Sequence, residues 1–96
     1  MDEQRIAVVT GGNRGIGLEI CRQLARLGLK VVLTARVEEK AKEAASGMEG
    51  DVVPFPLDVT QPADVERLTG FLERELGGVD VLVNNAGFFS IATSAG

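Results

Sequence analysis

The segment Thr10–Gly17, with the sequence TGGNRGIG, constrains the fold of this 96-residue chain more than any other part. Its glycines at positions 11, 15 and 17 allow a sharp turn and a close approach of a ligand, because no Cβ stands in the way. The apolar run Ile6–Val9 precedes the turn and an amphipathic pattern follows it. A helix that begins in such a turn directs its free N–H groups and positive dipole end at an anion. The motif and its flanks together predict a pyrophosphate site.

The residues around the glycine turn predict a strand–helix–strand unit. Ile6–Val9 is typical of a strand buried on both faces. The apolar residues after the turn recur at helical spacing, which predicts a helix that buries one stripe and ends at Gly28. The stripe consists of Ile16, Ile20, Leu24 and Leu27. Val31–Leu33 is predicted as the second strand, and the unit has the length of about 30 residues that dinucleotide-binding units share.

The remainder of the chain alternates between helical and strand patterns. Glu38–Met48 is rich in Ala, Glu and Lys, which predicts an exposed helix. Val52–Leu57 is predicted as the third strand, and its two prolines indicate a sheet edge or a strand end, because proline cannot donate to a strand ladder. A further helix carries its apolar stripe over 65–76, with Thr60 as its expected cap. Val81–Val83 is predicted as the fourth strand.

The order of these elements, βαβαβαβ, predicts an α/β protein with a partial Rossmann (doubly wound) fold. Right-handed helical crossovers between parallel strands are the usual solution to such alternation. We expect one truncated dinucleotide-binding domain over residues 1–96, with four parallel strands in the order 3-2-1-4. The first two helices cover one face of the sheet and the third covers part of the other. The change of direction between strands 1 and 4 opens a crevice at the carboxyl ends of the strands, where the glycine turn, Arg36, Asp58 and Asn85 all fall.

The composition argues against several other classes of protein. The net charge is −4 and the charges are interleaved, so no basic footprint for a nucleic acid is present. The apolar runs are shorter than the ~18 residues needed to span a bilayer, and the charged N-terminus does not resemble a signal peptide. We expect no membrane association and a cytoplasmic location. With no histidine and a single cysteine, Cys21, we expect no metal site and a packing role for the thiol.

Several motifs, in this order and spacing, resemble those of the short-chain dehydrogenases/reductases. The three main motifs are Thr10–Gly17, Leu57-Asp58-Val59 and Asn84-Asn85-Ala86-Gly87. The segments Leu33–Arg36 and Gly77–Val83 are most similar to the NADPH-dependent carbonyl reductases of that family. The resemblance covers about residues 5–88 and is more specific than a glycine pattern alone. It implies the NADP(H)-binding half of an oxidoreductase that reduces carbonyl compounds.

The resemblance implies a role for each matching residue. It assigns the pyrophosphate turn and its contacts to Gly11, Asn13, Arg14, Gly15, Ile16 and Gly17. Asp58 is expected to accept a hydrogen bond from the adenine amino group, beside the backbone of Val59. Asn85 is expected to contact the adenine ribose, while Ala86 and Gly87 keep that wall of the site low.

The charge at the end of the second strand predicts NADP(H) rather than NAD(H). An NAD site usually places Asp or Glu about 20 residues past the glycine loop, where it binds the ribose hydroxyls. Here the strand ends in Ala35 and Arg36, so no carboxylate repels a 2′-phosphate. Arg36 is suited to bidentate pairing with that phosphate, and Arg14 is placed to reach it from the other side.

Simpler interpretations of the same residues stay open at this point. Arg14 and Arg36 are alternatively solvated surface charges. Asp58 is alternatively a cap for the helix that follows it. The resemblance implies that Asn84 braces the sheet. Both Asn84 and Asn85 are alternatively turn residues that tolerate left-handed backbone.

The resemblance also implies which chemistry the sequence lacks. The family uses a serine after a fifth strand and a Tyr-x-x-x-Lys motif on the next helix, whereas this sequence contains no tyrosine. Ser90 and Ser94 follow the wrong strand, so we expect no catalytic residue in this chain. Three functions remain: part of a reductase, a cofactor-binding module without turnover, and a self-associating scaffold. The strand Val81, Leu82, Val83 would be an open apolar edge, which predicts a homo-oligomer or a partner.

Overall fold

The computed structural model describes residues 4–85 and shows a parallel sheet with helices on both faces. The elements are β1 (Ile6–Val9), α1 (Gly15–Arg26), β2 (Lys30–Ala35), α2 (Glu38–Ser46), β3 (Val52–Pro56), α3 (Pro62–Phe71), a π-helical turn (Leu72–Leu76) and β4 (Val81–Val83). The strand order is β3-β2-β1-β4, and all three pairings are parallel. The predicted α/β class, strand order and edge position of the proline-containing strand are therefore confirmed.

The sheet is built around β1, which pairs with two neighbours. Ala7 lies opposite Val31 of β2 and Val81 of β4. All four residues of β1 are buried, as expected for a strand covered on both faces. The carboxyl end of β1 therefore lies between those of β2 and β4, and the chain leaves it through the glycine turn.

Two apolar layers hold the helices against the sheet. One layer packs α1 and α2 on one face and contains Val9, Cys21, Ala25, Val31, Leu33, Ala35 and Ala41. The other packs α3 and the π turn on the opposite face and contains Ile6, Val8, Val32, Leu57, Leu68 and Leu72. Alternate residues of β1 and β2 point to opposite layers, as the period of a strand requires. The predicted division of the helices between the two faces is confirmed.

The face that α1 buries differs from the predicted stripe. Ile16 and Leu27, both predicted as core, are each 75% exposed. The buried positions of the helix are instead Gly17, Cys21 and Ala25. These small residues let the helix axis approach the sheet closely, while Ile20 and Leu24 pack at the sides of the contact. The hydrophobic period identified the helix, but residue size decided which side faces the strands.

The start of α3 also differs from the prediction. Thr60 does not cap the helix, because the N-cap position is Gln61 and Pro62 occupies the first turn. A residue before proline is held in extended backbone, and Gln61 has φ −108° and ψ 109°. The hydroxyl of Thr60 bonds to the side chain of Asp58 instead. The helical stripe continues beyond Phe71 as the π turn, which ends at a left-handed glycine, Gly77, with φ 80°.

Candidate dinucleotide site

The glycine turn adopts a backbone that other residues rarely adopt. Gly11 and Gly15 have φ values of 64° and 60°, in the left-handed region where a Cβ is unfavourable. A Cβ on Gly17 would collide with the carbonyl oxygen of Gly11 and would lie 2.8 Å from the Asn85 amide nitrogen. The backbone N–H of Gly12 donates to the carbonyl oxygen of Thr34 at 2.8 Å. The turn is therefore folded tightly over the start of α1 and fastened to the end of β2.

The N-terminus of α1 is open toward the crevice. Arg14 precedes the helix in extended backbone, and within residues 4–85 no side chain caps the helix. The first turn carries no acidic residue. The first amide groups of a helix have no intrahelical partners, and together with the helix dipole they form a ready binding site for an anion.

The end of β4 is joined to the end of β1 through Thr10. The Thr10 hydroxyl is buried, and it accepts a hydrogen bond from the Asn85 backbone N–H at 2.8 Å. It also lies 3.4 Å from the Val83 carbonyl oxygen and 3.3 Å from Asn84 Oδ1. The Asn85 side chain donates to the carbonyl oxygen of Gly11 at 3.3 Å. Asn84 and Asn85 thus fix the glycine turn against β4, which goes beyond the interpretation as simple turn residues.

A cleft of about 670 Å³ lies over the carboxyl ends of the strands. It is lined by Gly11, Asn13, Arg14, Gly15, Ile16, Ala35, Arg36, Val37, Lys40, Leu57, Asp58, Val59, Thr60 and Asn85. Nine of the twelve residues predicted to bind a cofactor are in this group. Gly17 lies buried behind the turn, and Ala86 and Gly87 lie outside the described residues. The topology therefore brings together residues that are up to 74 positions apart.

The charged residues that line the cleft are mainly basic. Arg14, Arg36 and Lys40 all line it, and all three are exposed. Lys40 was not predicted as a site residue, although its position four residues after Arg36, in the first turns of α2, could have indicated it. Asp58 is the one acidic residue among the lining residues within 4–85. The lining therefore offers three cations to an anionic ligand.

Asp58 is held as a carboxylate by a local turn. Its Oδ1 accepts hydrogen bonds from the Thr60 hydroxyl at 2.6 Å and from the Thr60 backbone N–H at 3.0 Å. These two bonds, and more weakly the positive charge of Arg36, lower the pKa of the Asp58 carboxyl. The side chain does not cap α3, whose N-cap is Gln61. Asp58 therefore presents a hydrogen-bond acceptor to the cleft at neutral pH.

A doubly wound parallel sheet with a glycine turn at its switch point defines the Rossmann class of α/β proteins. Within that class, residues 5–95 match the family model described as short chain dehydrogenase. The chain belongs to the short-chain dehydrogenase/reductase family.

Curated and structural relatives agree with this assignment. The chain is 46% identical over 98 residues to (+)-neomenthol dehydrogenase of Arabidopsis thaliana, covering 95% of this chain and 33% of that protein. It is 42% identical over 87 residues to carbonyl reductase [NADPH] 3 of Rattus norvegicus, covering 86% of this chain and 31% of that protein. A metagenomic short-chain oxidoreductase in complex with NADP superposes with a TM-score of 0.81 at 38% identity, covering 88% of this chain and 39% of that one.

The chain spans about a third of the length of the curated relatives it matches. Its described residues correspond to the part of the fold that contains the glycine turn and the first four strands. None of the helices within residues 4–85 is long and apolar enough to cross a membrane.

Proposed function

We propose that this chain binds NADP(H) in the cleft over the carboxyl ends of its strands. The observation that carries the proposal is the presence of three exposed cations, Arg14, Arg36 and Lys40, among the residues that line that cleft. A 2′-phosphate distinguishes NADP(H) from NAD(H), and clustered guanidinium and ammonium groups are its natural partners. In the proposed arrangement Arg36 carries most of the contact, and Arg14 and Lys40 approach from the two sides.

The other parts of the cleft suit the rest of the dinucleotide. The open N-terminus of α1 and the left-handed Gly11 and Gly15 would receive the pyrophosphate. Asp58 would accept a hydrogen bond from the adenine amino group, with Val59 beside it. Asn85 lines the cleft as well, although its amide nitrogen already donates to Gly11. We assign it mainly to fixing the turn and secondarily to the adenine ribose.

For the whole protein we propose an NADPH-dependent reduction of carbonyl compounds. The support is the family membership, together with relatives whose names include carbonyl reductase [NADPH] 3. The bound dinucleotide would supply a hydride, while the described residues of this chain bind and orient it. We propose no catalytic residue within this sequence, because the serine and Tyr-x-x-x-Lys expected from the family resemblance have no counterpart in it.

Self-association through β4 is a second candidate, and one observation favours it. Among the described strands β4 pairs with β1 alone, and Leu82 is 39% exposed on it. An unpaired apolar edge is a template for another strand. In that case the chain acts as a scaffold or as a binding module without turnover.

Calorimetric titration of the chain with NADPH and with NADH tests the proposal. We expect NADPH to bind about tenfold or more tightly than NADH, because the additional phosphate gains charge-assisted hydrogen bonds. Equal affinity for the two would contradict the assignment of these cations to the 2′-phosphate. A folded chain that binds neither would favour the scaffold.

A further inference from the structure

We infer that Asp64, supported by Arg67, is a positioning residue that fixes Asp58 for the recognition of adenine. The inference rests on the proposed binding of NADP(H) and adds residues outside the cleft. Neither side chain lines the cleft in the described part of the chain. Both lie in the first two turns of α3.

Asp58 needs such support because it lies beyond the ladder of the sheet. The last bond between β2 and the segment after β3 runs from the Leu57 N–H to the carbonyl oxygen of Ala35, at 2.8 Å. The next backbone N–H, that of Asp58, is taken by Asp64 Oδ2 at 2.9 Å in a partly buried hydrogen bond. A carboxylate acceptor makes this a charge-assisted bond, roughly twice as strong as a neutral one.

The placement of Asp64 departs from the usual role of an acidic residue at this helical position. Asp64 is the third residue of α3, where an acidic side chain commonly reaches back to the N–H of the N-cap residue. Here the Gln61 N–H already donates to the carbonyl oxygen of Asp58, at 2.9 Å. The Asp64 carboxylate is therefore available to reach six residues back, so that the N–H and C=O of Asp58 are both engaged by the start of α3.

Arg67 holds the carboxylate of Asp64 in place. Its Nη1 donates to Asp64 Oδ1 at 3.2 Å, and its Nη2 donates to the Pro56 carbonyl oxygen at 2.6 Å. The guanidinium also lies over the ring of Phe55, 5.1 Å from the ring centre, and such cation–π contact adds to its anchoring. Arg67 thus links α3 to Pro56 at the end of β3, while Asp64 links the same helix to the backbone N–H of Asp58.

Asp64 and Arg67 together form a clamp on Asp58, and this clamp leaves one carboxylate oxygen of Asp58 for a ligand. Oδ1 is engaged by Thr60. Because the backbone N–H and C=O of Asp58 are both hydrogen-bonded, Oδ2 has a defined direction. A fixed, ionised acceptor favours adenine, whose 6-amino group donates, over hypoxanthine, whose 6-carbonyl oxygen accepts. The inference therefore concerns specificity for the base, which general weakening of the fold would not change.

The test compares NADPH with its hypoxanthine analogue, reduced nicotinamide hypoxanthine dinucleotide phosphate, by calorimetry on the chain. For the wild type we expect NADPH to bind about tenfold more tightly, the effect of one hydrogen bond to a charged group. In Asp64→Ala we expect this preference to fall below about threefold. Asp64→Asn keeps an oxygen acceptor for the Asp58 N–H and should retain most of the preference. Glu66→Ala, an exposed carboxylate on the same helix, is the matched control and should change nothing.

The outcomes separate this inference from the proposed function. A folded Asp64→Ala chain that keeps the wild-type preference overturns the inference, even if both ligands bind more weakly. If circular dichroism shows that Asp64→Ala does not fold, Arg67→Ala decides: a reduced preference supports the clamp and an unchanged one overturns it. A wild type that binds NADPH without preference over the analogue also overturns the inference. A wild type that binds neither nucleotide overturns the proposed function itself.

Discussion

The side-chain amide of Asn85 donates a hydrogen bond to the carbonyl oxygen of Gly11 at 3.3 Å, across 74 residues of sequence. This contact joins the end of β4 to the turn that leads into α1. Gly17 packs against both partners, so the shape of the turn depends on residues from the two ends of the described chain. Contacts among Gly11, Gly17 and Asn85 therefore set the geometry of the proposed pyrophosphate site.

Gly17→Ala is expected to damage both stability and nucleotide binding. The new Cβ would collide with the Gly11 carbonyl oxygen and press on the Asn85 amide. Overpacking of this kind costs about 1–3 kcal/mol, and urea unfolding measures it. Gly47→Ala is the control, because the nearest atom to its new Cβ is 3.9 Å away and φ is −88°. Equal unfolding midpoints for the two variants would contradict the tight turn.

Thr10→Val is expected to loosen β4 from β1. The substitution keeps the shape but removes the buried hydroxyl that accepts from the Asn85 N–H at 2.8 Å. Loss of this partly buried hydrogen bond costs about 0.5–1.5 kcal/mol, measurable as a lower free energy of unfolding. Thr69→Val provides the comparison, because it removes a hydroxyl that bonds only within its own helix, to the Val65 carbonyl oxygen. A Thr10→Val variant as stable as Thr69→Val would show that the link contributes little.

The buried thiol of Cys21 predicts a loss of stability in alkaline solution. Burial raises its pKa from 9.0 to about 12 in the folded chain. The unfolded chain releases the proton above pH 9.0 while the folded chain retains it until about pH 12. The buried neutral thiol makes its full contribution to the free energy of unfolding below pH 9.0. That contribution falls as pH rises, by at most about 1.4 kcal/mol per pH unit. Unfolding free energies measured on both sides of pH 9.0 should show this slope in the wild type and a shallower one in Cys21→Ala. Identical slopes would contradict a buried thiol.

Within residues 4–85, β4 pairs with β1 alone, and this edge predicts self-association. Leu82→Lys places a charge on that edge, a common means by which proteins prevent edge-to-edge pairing. Light scattering at micromolar concentration should show dimers or larger species for the wild type and a shift toward monomer for this variant. Leu27→Lys tests charge alone, because Leu27 is 75% exposed at the end of α1. A monodisperse wild-type monomer would remove the oligomer prediction.

Much of the fold follows from local patterns in the sequence. β1 and β4 have the predicted bounds, because each is a short apolar run between polar residues. The order 3-2-1-4 follows from the alternation of strands and helices together with the handedness of crossovers. The convergence of Arg36 and Asp58 on one cleft follows from that order.

The features that the sequence did not indicate depend on contacts between distant residues. The buried side of α1 is made by Gly17, Cys21 and Ala25, because small residues allow the helix to lie close to the sheet; hydrophobicity alone favours the larger Ile16. The clamp of Asp64 and Arg67 on Asp58 depends on where β3 ends relative to α3. Periodicity locates a helix but does not specify which backbone groups its first side chains reach.

The measurement that tests the central claim most directly is the NADPH titration repeated with Arg36→Ala. The matched control for loss of positive charge is Arg26→Ala, because Arg26 is an exposed arginine at the C-terminal end of α1, away from the glycine turn. We predict that Arg36→Ala weakens NADPH binding about 10-fold to 100-fold, as expected for hydrogen bonds between charged groups. NADH binding should change little in this variant, and Arg26→Ala should resemble the wild type with both nucleotides. Equal losses for NADPH and NADH, or no loss of either, would contradict a 2′-phosphate site at the end of β2.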